Sequence, residues 1–532
     1  MDAASLSTAC APSTFAGLAA FGTEILSIDT HLVTNFSAYV LDIPRWTAPT
    51  IYYENATFCN VTVSYTHPGQ NDNIIVETWL PVENPSWNER LQAVGGGSWI
   101  AGRFATSYET MKGALGDGYV TTTTDAGLGS AQDPREWALN SVGNVNWYNF
   151  NNFASVSLGD QATLSKSLTA SFYGKPPAYS YWNGCSQGGR QGLMLAQRYP
   201  EAYDGISVGA PILYSTLTGT SLYWPQEVMK VLDRYPYNCE MDAITAAATK
   251  KCDKLDGVED GIVADIDGCA FDPFSMVGKK VKNCAQAGNK TVEIGLAAAV
   301  VVNATWQGMV TPDGKPFWYG LSPGTWISAE GDGMLTLTGT AATNCSSGTC
   351  VGVPSDLTVS WIDMFVAKGD PKFDLDKVGY EEFYDIVKYS RQVYRSALDT
   401  DDPDLSKFQK AGGKIVSFHG LWDSLIPAAA TRQYYNEVSS VVPGTHDFFR
   451  HYEVPGLSHC AGHASGQPTG LFEQLRTWVE KGVAPEESPV NVTVSDGSTH
   501  QRILCPYPEV AKLRKGCRDP ADAKCWKCVK RG

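Results

Sequence analysis

At 532 residues with 43% hydrophobic side chains, the chain has ample apolar material for a large folded core, which excludes a disordered protein. A formal charge of −15, with no basic run interleaved with aromatics, excludes nucleic acid as a partner. No apolar stretch is long enough to cross a bilayer as a helix, which excludes a helical membrane protein.

Fourteen cysteines accompany Asn-X-Ser/Thr acceptors at Asn35, Asn55, Asn60, Asn289, Asn303, Asn344 and Asn491. Together they point to an oxidising, glycosylating route and a secreted, extracellular glycoprotein. Met1-Asp2 lacks a basic start followed by an apolar run, so the chain is expected to be a mature form given a start codon.

Along the chain, three buried strands end in loops of unusual composition, the pattern of an α/β fold whose mostly parallel sheet carries its site at the strands' carboxyl ends. The first, Arg90–Val94, runs into Gly95-Gly96-Gly97. The second, residues 179–183, runs into Gly184; after it come a helix over 192–199, stopped by Pro200, and a short apolar strand over 205–208. From 212 to 410 the chain turns rich in Gly and Thr, with six cysteines and weaker periodicity. This stretch is expected to be a lid domain inserted into a core made of residues 1–211 and 411–532. The third strand, 414–418, then runs into His419-Gly420, and a further strand spans 448–454. The basic tail with Cys517, Cys525 and Cys528 has the composition of a stapled surface extension.

Gly184-Cys185-Ser186-Gln187-Gly188 is a G-x-S-x-G pentapeptide set between strand and helix. A nucleophile on such a turn needs glycines two residues either side, because its backbone is strained and neighbouring chains approach closely; the helix N-terminus behind it favours developing negative charge. A serine hydroxyl also needs a base, and the base needs a carboxylate to fix its tautomer, in the chain order Ser, acid, His. Asp423 follows the third strand in a loop closed by Ile426-Pro427 and is the expected acid. Among the later histidines, His446, His451, His459, His463 and His500, His451 falls on a strand, whereas His459 lies in a loop beyond it and is the expected base.

Cys185 directly precedes the candidate serine, and Cys460 directly follows the candidate histidine. If the two loops meet as the mechanism demands, these thiols come within bonding distance, and a disulfide would clamp nucleophile to base. For the oxyanion, the amide of Gln187 is one expected donor and that of Gly96 or Gly97 the other. In the lid, Asp253, Asp256 and Asp260, with the carbonyls of Val258 and Ile262, put hard oxygens on a compact loop bracketed by Cys252 and Cys269, which could close it. By itself that loop suits calcium and an acidic solvated turn equally.

The nonapeptide from Gly184 to Gly192, Asp423 within His419-Gly420-Leu421-Trp422-Asp423, and the pair His459-Cys460 resemble the fungal tannase and feruloyl esterase family. The likeness extends over most of the chain and includes the Cys10 and Cys59 pair, the glycine loop at Gly95 and the cysteine-bracketed acidic loop. It implies an α/β-hydrolase core, a lid carrying structural calcium, a disulfide joining Cys185 to Cys460, and hydrolysis of phenolic acid esters through an acyl-enzyme. The substrate would be a small-molecule or polysaccharide-linked ester. Gln191 before the last glycine is nearer to feruloyl esterases than to tannases, which tend to have glutamate there; Gln187 matches neither. A tannase acting on galloyl esters is the alternative within enzymes, and a silent carbohydrate-binding or surface protein on a hydrolase fold the alternative outside them. Trp99, Tyr223 and Trp224 are candidates for an aromatic pocket, and the pairing of Cys239, Cys284, Cys345, Cys350, Cys505, Cys517, Cys525 and Cys528 stays open.

Overall fold

The computed structural model describes residues 8–130, 132–328, 339–346 and 348–531. The start at Met1-Asp2 lies outside them. Nine strands form one sheet: β1 (Glu24–Val40), β2 (Ile51–Thr66), β3 (Ile74–Glu83), β4 (Arg90–Val94), β5 (Val120–Thr124), β6 (Tyr179–Cys185), β7 (Gly205–Gly209), β8 (Lys414–Gly420) and β9 (Phe449–Val454). Their spatial order is β1-β2-β3-β5-β4-β6-β7-β8-β9. β1, β2, β3 and β5 pair antiparallel, and every pairing from β5 to β9 is parallel. The parallel half is the α/β core that the sequence leads one to expect; the long antiparallel wing β1–β3 is an addition to it.

Parallel strands are covered on both faces, and the sequence shows how. Side chains alternate along a strand, so Trp182 and Ile415 enter the cluster on one face while neighbouring Tyr181 and Val416 enter the other. The first face is covered by helices α2 (Ser157–Tyr173) and α3 (Gln187–Arg198), through Leu158, Leu164 and Leu168 of α2 and Leu193, Met194 and Leu195 of α3, whereas α1 (Ala105–Gly116) places Ala114 in the cluster of the second face. β5, Val120-Thr121-Thr122-Thr123-Thr124, is wholly buried yet four-fifths threonine. β-branched side chains suit a pleated surface. The hydroxyls of Thr122 and Thr124 donate to the carbonyls of Glu77 and Ile75 on β3, both at 3.0 Å, so burial leaves those groups satisfied.

Among the described residues, no strand of this sheet arises between Gly209 and Lys414. The segment holds helices α4 (Ser215–Ser221), α5 (Trp224–Leu232), α6 (Asn238–Cys252), α7 (Leu296–Gln307) and α8 (Tyr380–Leu398). It is not one unit in its packing. Met229, Met241, Ile244, Val301 and Val302 make a cluster of their own, whereas Leu217, Trp361, Phe365 and Tyr394 join the main core. The inserted segment is therefore shared between two clusters, and Met309 and Trp318 from its middle also join the main core. Helices α9 (Ala428–Val441) and α10 (Leu471–Lys481) complete the core, α10 packing Leu471, Leu475 and Trp478 on the second face.

All fourteen cysteines are paired: Cys10–Cys59, Cys185–Cys460, Cys239–Cys284, Cys252–Cys269, Cys345–Cys350, Cys505–Cys528 and Cys517–Cys525. Among the described residues no helix is long and apolar enough to cross a membrane.

Candidate active site

Ser186 sits between β6 and α3 with φ 60° and ψ −119°, a left-handed conformation that turns strand into helix within one residue. The flanking glycines permit it. A Cβ on Gly184 would lie 2.7 Å from the Gly188 carbonyl carbon, and one on Gly188 would lie 3.0 Å from the Gly96 oxygen. The backbone is pinned from outside, since the Ser186 amide donates to the Gly209 carbonyl at 2.9 Å and that of Gly188 to Gly96 at 3.1 Å.

The loops after β6, β8 and β9 converge. Ser186 Oγ donates to His459 Nε2 at 3.0 Å, and His459 Nδ1 donates to Asp423 Oδ2 at 2.8 Å. Asp423 Oδ1 accepts from the amides of Leu425 and Ile426, each at 2.8 Å, which fixes the carboxylate's rotamer. Burial by itself would raise the Asp423 pKa; the neighbouring His459 and the hydrogen bonds from His419 and His459 outweigh it and hold the group well below the usual carboxylate range. The acid is thus ionised and oriented. The Cys185–Cys460 disulfide spans 275 residues and links the neighbours of Ser186 and His459 directly.

His419 is the residue that motif reading missed. Its Nε2 lies 3.1 Å from both Asp423 Oδ2 and the Ile426 carbonyl, and its Nδ1 is 2.8 Å from Thr431 Oγ1. Two acceptors face Nε2, so that nitrogen carries the proton and Nδ1 accepts from the threonine. Asp423 Oδ2 therefore receives two imidazole donors. The signal was in the sequence, four residues before the acid, but only the turn of the loop brings the two side chains together. His451 behaves as its strand position implies: it is fully buried on β9, faces Ser417 Oγ at 2.9 Å, and burial pushes it down to about 3.

The glycine-loop expectation needs correction. The Gly96 amide donates to Gln191 Oε1 at 2.9 Å and the Gly97 amide to the Ile100 carbonyl at 3.2 Å, so neither is directed at a substrate. The loop residues that line the pocket beside Ser186 are Ser98, held at φ 52°, and Trp99. That pocket is otherwise largely apolar, with Phe153, Ile212, Leu222, Leu357, Leu398 and Leu425 in its walls and Gln187 and His459 at Ser186. Of the aromatic candidates Trp99 faces it, while Tyr223 and Trp224 pack elsewhere against Phe383 and Tyr380.

The acidic loop lies apart from this pocket. Asp253 accepts from the amides of Asp260 and Gly261, each at 2.9 Å; Asp256 Oδ1 accepts from Val258 and Asp260 Oδ1 from Ile262, each at 3.0 Å. Arg502 pairs with Asp260 and stands 3.8 Å from Asp256. Burial, then repulsion from Asp260 and Asp253, pushes Asp256 up to about 6. Among the described residues no group of three or more His, Cys, Asp or Glu side chains converges as ligands on one point.

Comparison with known proteins agrees with this geometry. The sequence profile for "Tannase and feruloyl esterase" matches residues 59–529. The chain is 38% identical over 483 residues to a probable feruloyl esterase of Arthroderma benhamiae, covering 89% of this chain and 86% of that protein. It is 30% identical over 502 residues to a tannase of Aspergillus oryzae, covering 85% and 82%. The fold is similar to that of a tannin acyl hydrolase from Aspergillus niger, with a TM-score of 0.85 at 27% identity, covering 99% of this chain and 96% of that one.

Proposed function

From a chain that belongs to the tannase and feruloyl esterase family, we propose a serine carboxylesterase that cleaves hydroxycinnamic, ferulic-type esters by way of an acyl-enzyme. One observation carries the reading: a Ser186–His459–Asp423 relay, at 3.0 and 2.8 Å, opens on a largely apolar pocket. His459 takes the Ser186 proton as the oxygen attacks the ester carbonyl, then returns it to the departing alkoxide; water repeats the cycle and frees the acid. The oxyanion donors are the amide of Gln187, at the helix N-terminus, and that of Ser98 in place of Gly96 or Gly97.

The apolar walls favour a hydroxycinnamate over a gallate. A galloyl ring brings three hydroxyls that need partners on burial, and beyond Ser186 and His459 the lining offers only Ser98, Gln187 and Ser215 among walls of Ile212, Leu222, Leu357, Leu398 and Leu425. Methyl ferulate is expected to exceed methyl gallate in kcat/KM, and Ser186→Ala to lose turnover and fluorophosphonate labelling while keeping its circular dichroism. A reversed ratio would make the protein a tannase; a wild type that turns over neither ester and resists the probe would make it a silent binding protein.

The same reading includes a secreted, glycosylated protein and a structural calcium ion. In favour of the first are the complete pairing of the cysteines and the exposure of Asn35, Asn55, Asn289, Asn344 and Asn491. Asn303 is half-buried, and Asn60 donates its side-chain nitrogen to Glu77 at 3.1 Å, so these two are poor acceptors. In favour of the second is the donor chemistry of Asp253, Asp256 and Asp260, three carboxylates in eight residues of which Asp256 and Asp260 face one Arg502, with the carbonyls of Val258 and Ile262 in the same loop. Capture requires the outer oxygens of Asp256 and Asp260 to turn from Arg502 to the ion. Chelation by EGTA is expected to lower the melting temperature and added calcium to restore it; an unchanged melt would leave Arg502 as the loop's sole counter-charge.

A further inference from the structure

Arg190 is among the largest fully buried side chains in the protein, and among the described residues no carboxylate lies within ion-pairing distance of it. A guanidinium stays charged at neutral pH, and a buried charge without a counter-ion is costly unless its donors are well used. They are used in one place. Nε donates to Gln187 Oε1 at 2.8 Å, Nη1 to the carbonyls of Ala154 at 2.8 Å and Leu398 at 3.4 Å, and Nη2 to the carbonyl of Phe153 at 3.1 Å; the guanidinium carbon also stands 5.5 Å from the Phe153 ring centroid. Gln187, Phe153 and Leu398 are three walls of the pocket at Ser186. They come from three separate parts of the chain: the nucleophile turn, the π-turn before α2 and the end of α8, where the inserted segment returns to the core.

We propose that Arg190 is a positioning residue for substrate selectivity: one buried cation holds the three walls at the spacing that takes a flat aromatic acid. This rests on the esterase reading above and deepens it. Planarity is the reason for arginine here. Its fork presents donors in one plane to several carbonyls at once, which a lysine ammonium on a flexible stem does not. The guanidinium, held by carbonyl dipoles, also leaves the Gln187 side chain with one orientation beside the amide assigned to the oxyanion.

The test compares a large flat acyl group with a small one. Wild type, Arg190→Lys and Arg190→Met are assayed on methyl ferulate and on p-nitrophenyl acetate, with melting temperatures in parallel. KM for methyl ferulate is expected to rise about tenfold in Arg190→Lys and further in Arg190→Met, while kcat/KM for the acetate stays within about threefold, because an acetyl group does not reach the displaced walls. Should an Arg190 variant not fold, Gln187→Met removes one link with the guanidinium in place and is expected to lower the ferulate-to-acetate ratio in the same direction. An equal loss on both esters, or no change in the ratio for any folded variant, overturns the proposal. A wild type that fails on methyl ferulate but hydrolyses the acetate refutes the esterase specificity instead, whatever the variants do.

Discussion

Replacing Cys185 and Cys460 together by alanine tests whether the disulfide supports the fold, the chemistry or both. Its closed loop of 275 residues carries a chain-entropy contribution of roughly 5–6 kcal/mol. This is an upper figure, because six other disulfides already restrict the unfolded chain. Spread over a 532-residue protein, with an unfolding entropy near 2.1 cal/mol/K per residue, it corresponds to at most about 5 °C in melting temperature. The activity change is expected to be the larger one. The bond joins residues adjacent to both ends of the 3.0 Å Ser186–His459 contact, and a displacement of about 1 Å between reacting groups costs on the order of a hundredfold in rate. Differential scanning fluorimetry and steady-state kinetics on methyl ferulate should therefore give a modest melting shift beside a 10–100-fold fall in kcat/KM. A variant that melts as wild type and turns over at the wild-type rate would show that packing alone holds the loops, and the clamp argument would fail.

His419→Phe removes a hydrogen bond to the ionised Asp423, an interaction worth about 1.5–3 kcal/mol, so kcat/KM should fall roughly 10- to 150-fold. His419→Gln, which can still present an N–H, should recover part of it; equal activity of His419→Phe and wild type would remove His419 from the relay. For Asp399, burial is the main cause that pushes the carboxyl up to about 7, against hydrogen bonds from Thr216 that lower it, from the ordinary aspartate value near 3.8. A folded pKa raised above the unfolded one means the buried acid stabilises the fold fully at low pH and loses that contribution as pH climbs from about 4 to about 7, by up to about 4 kcal/mol. Asp399→Asn should flatten the fall in melting temperature between pH 4 and pH 8, and parallel curves for the two proteins would count against a protonated Asp399.

The reacting groups were legible because chemistry imposes contiguous strings. A strained serine needs Gly184 and Gly188 beside it, Asp423 needs a loop after a strand, and the cysteines that clamp the site are neighbours of Ser186 and His459. The continuous burial of β6 and β8 could likewise be read from hydrophobic runs. Other elements left no such trace. β5 reads as polar, and its burial depends on threonine hydroxyls that find carbonyls on β3, more than forty residues back in the chain. The wing β1–β3 alternates weakly and lacks the loop signals that mark the parallel strands.

What the residues determined by themselves was which groups could react and in what order along the chain, since reactivity is a property of side-chain type and immediate backbone. Which neighbours each group finally meets was decided only in three dimensions. The Gly96 amide is taken by Gln191, 95 residues onward, leaving Ser98 to face the pocket; Asp423 gains His419 as a second donor; Arg190 finds its acceptors on two distant segments as well as one turn away. A hydrogen bond forms with whatever acceptor the packed fold brings within about 3 Å. Distance along the chain carries no information about that.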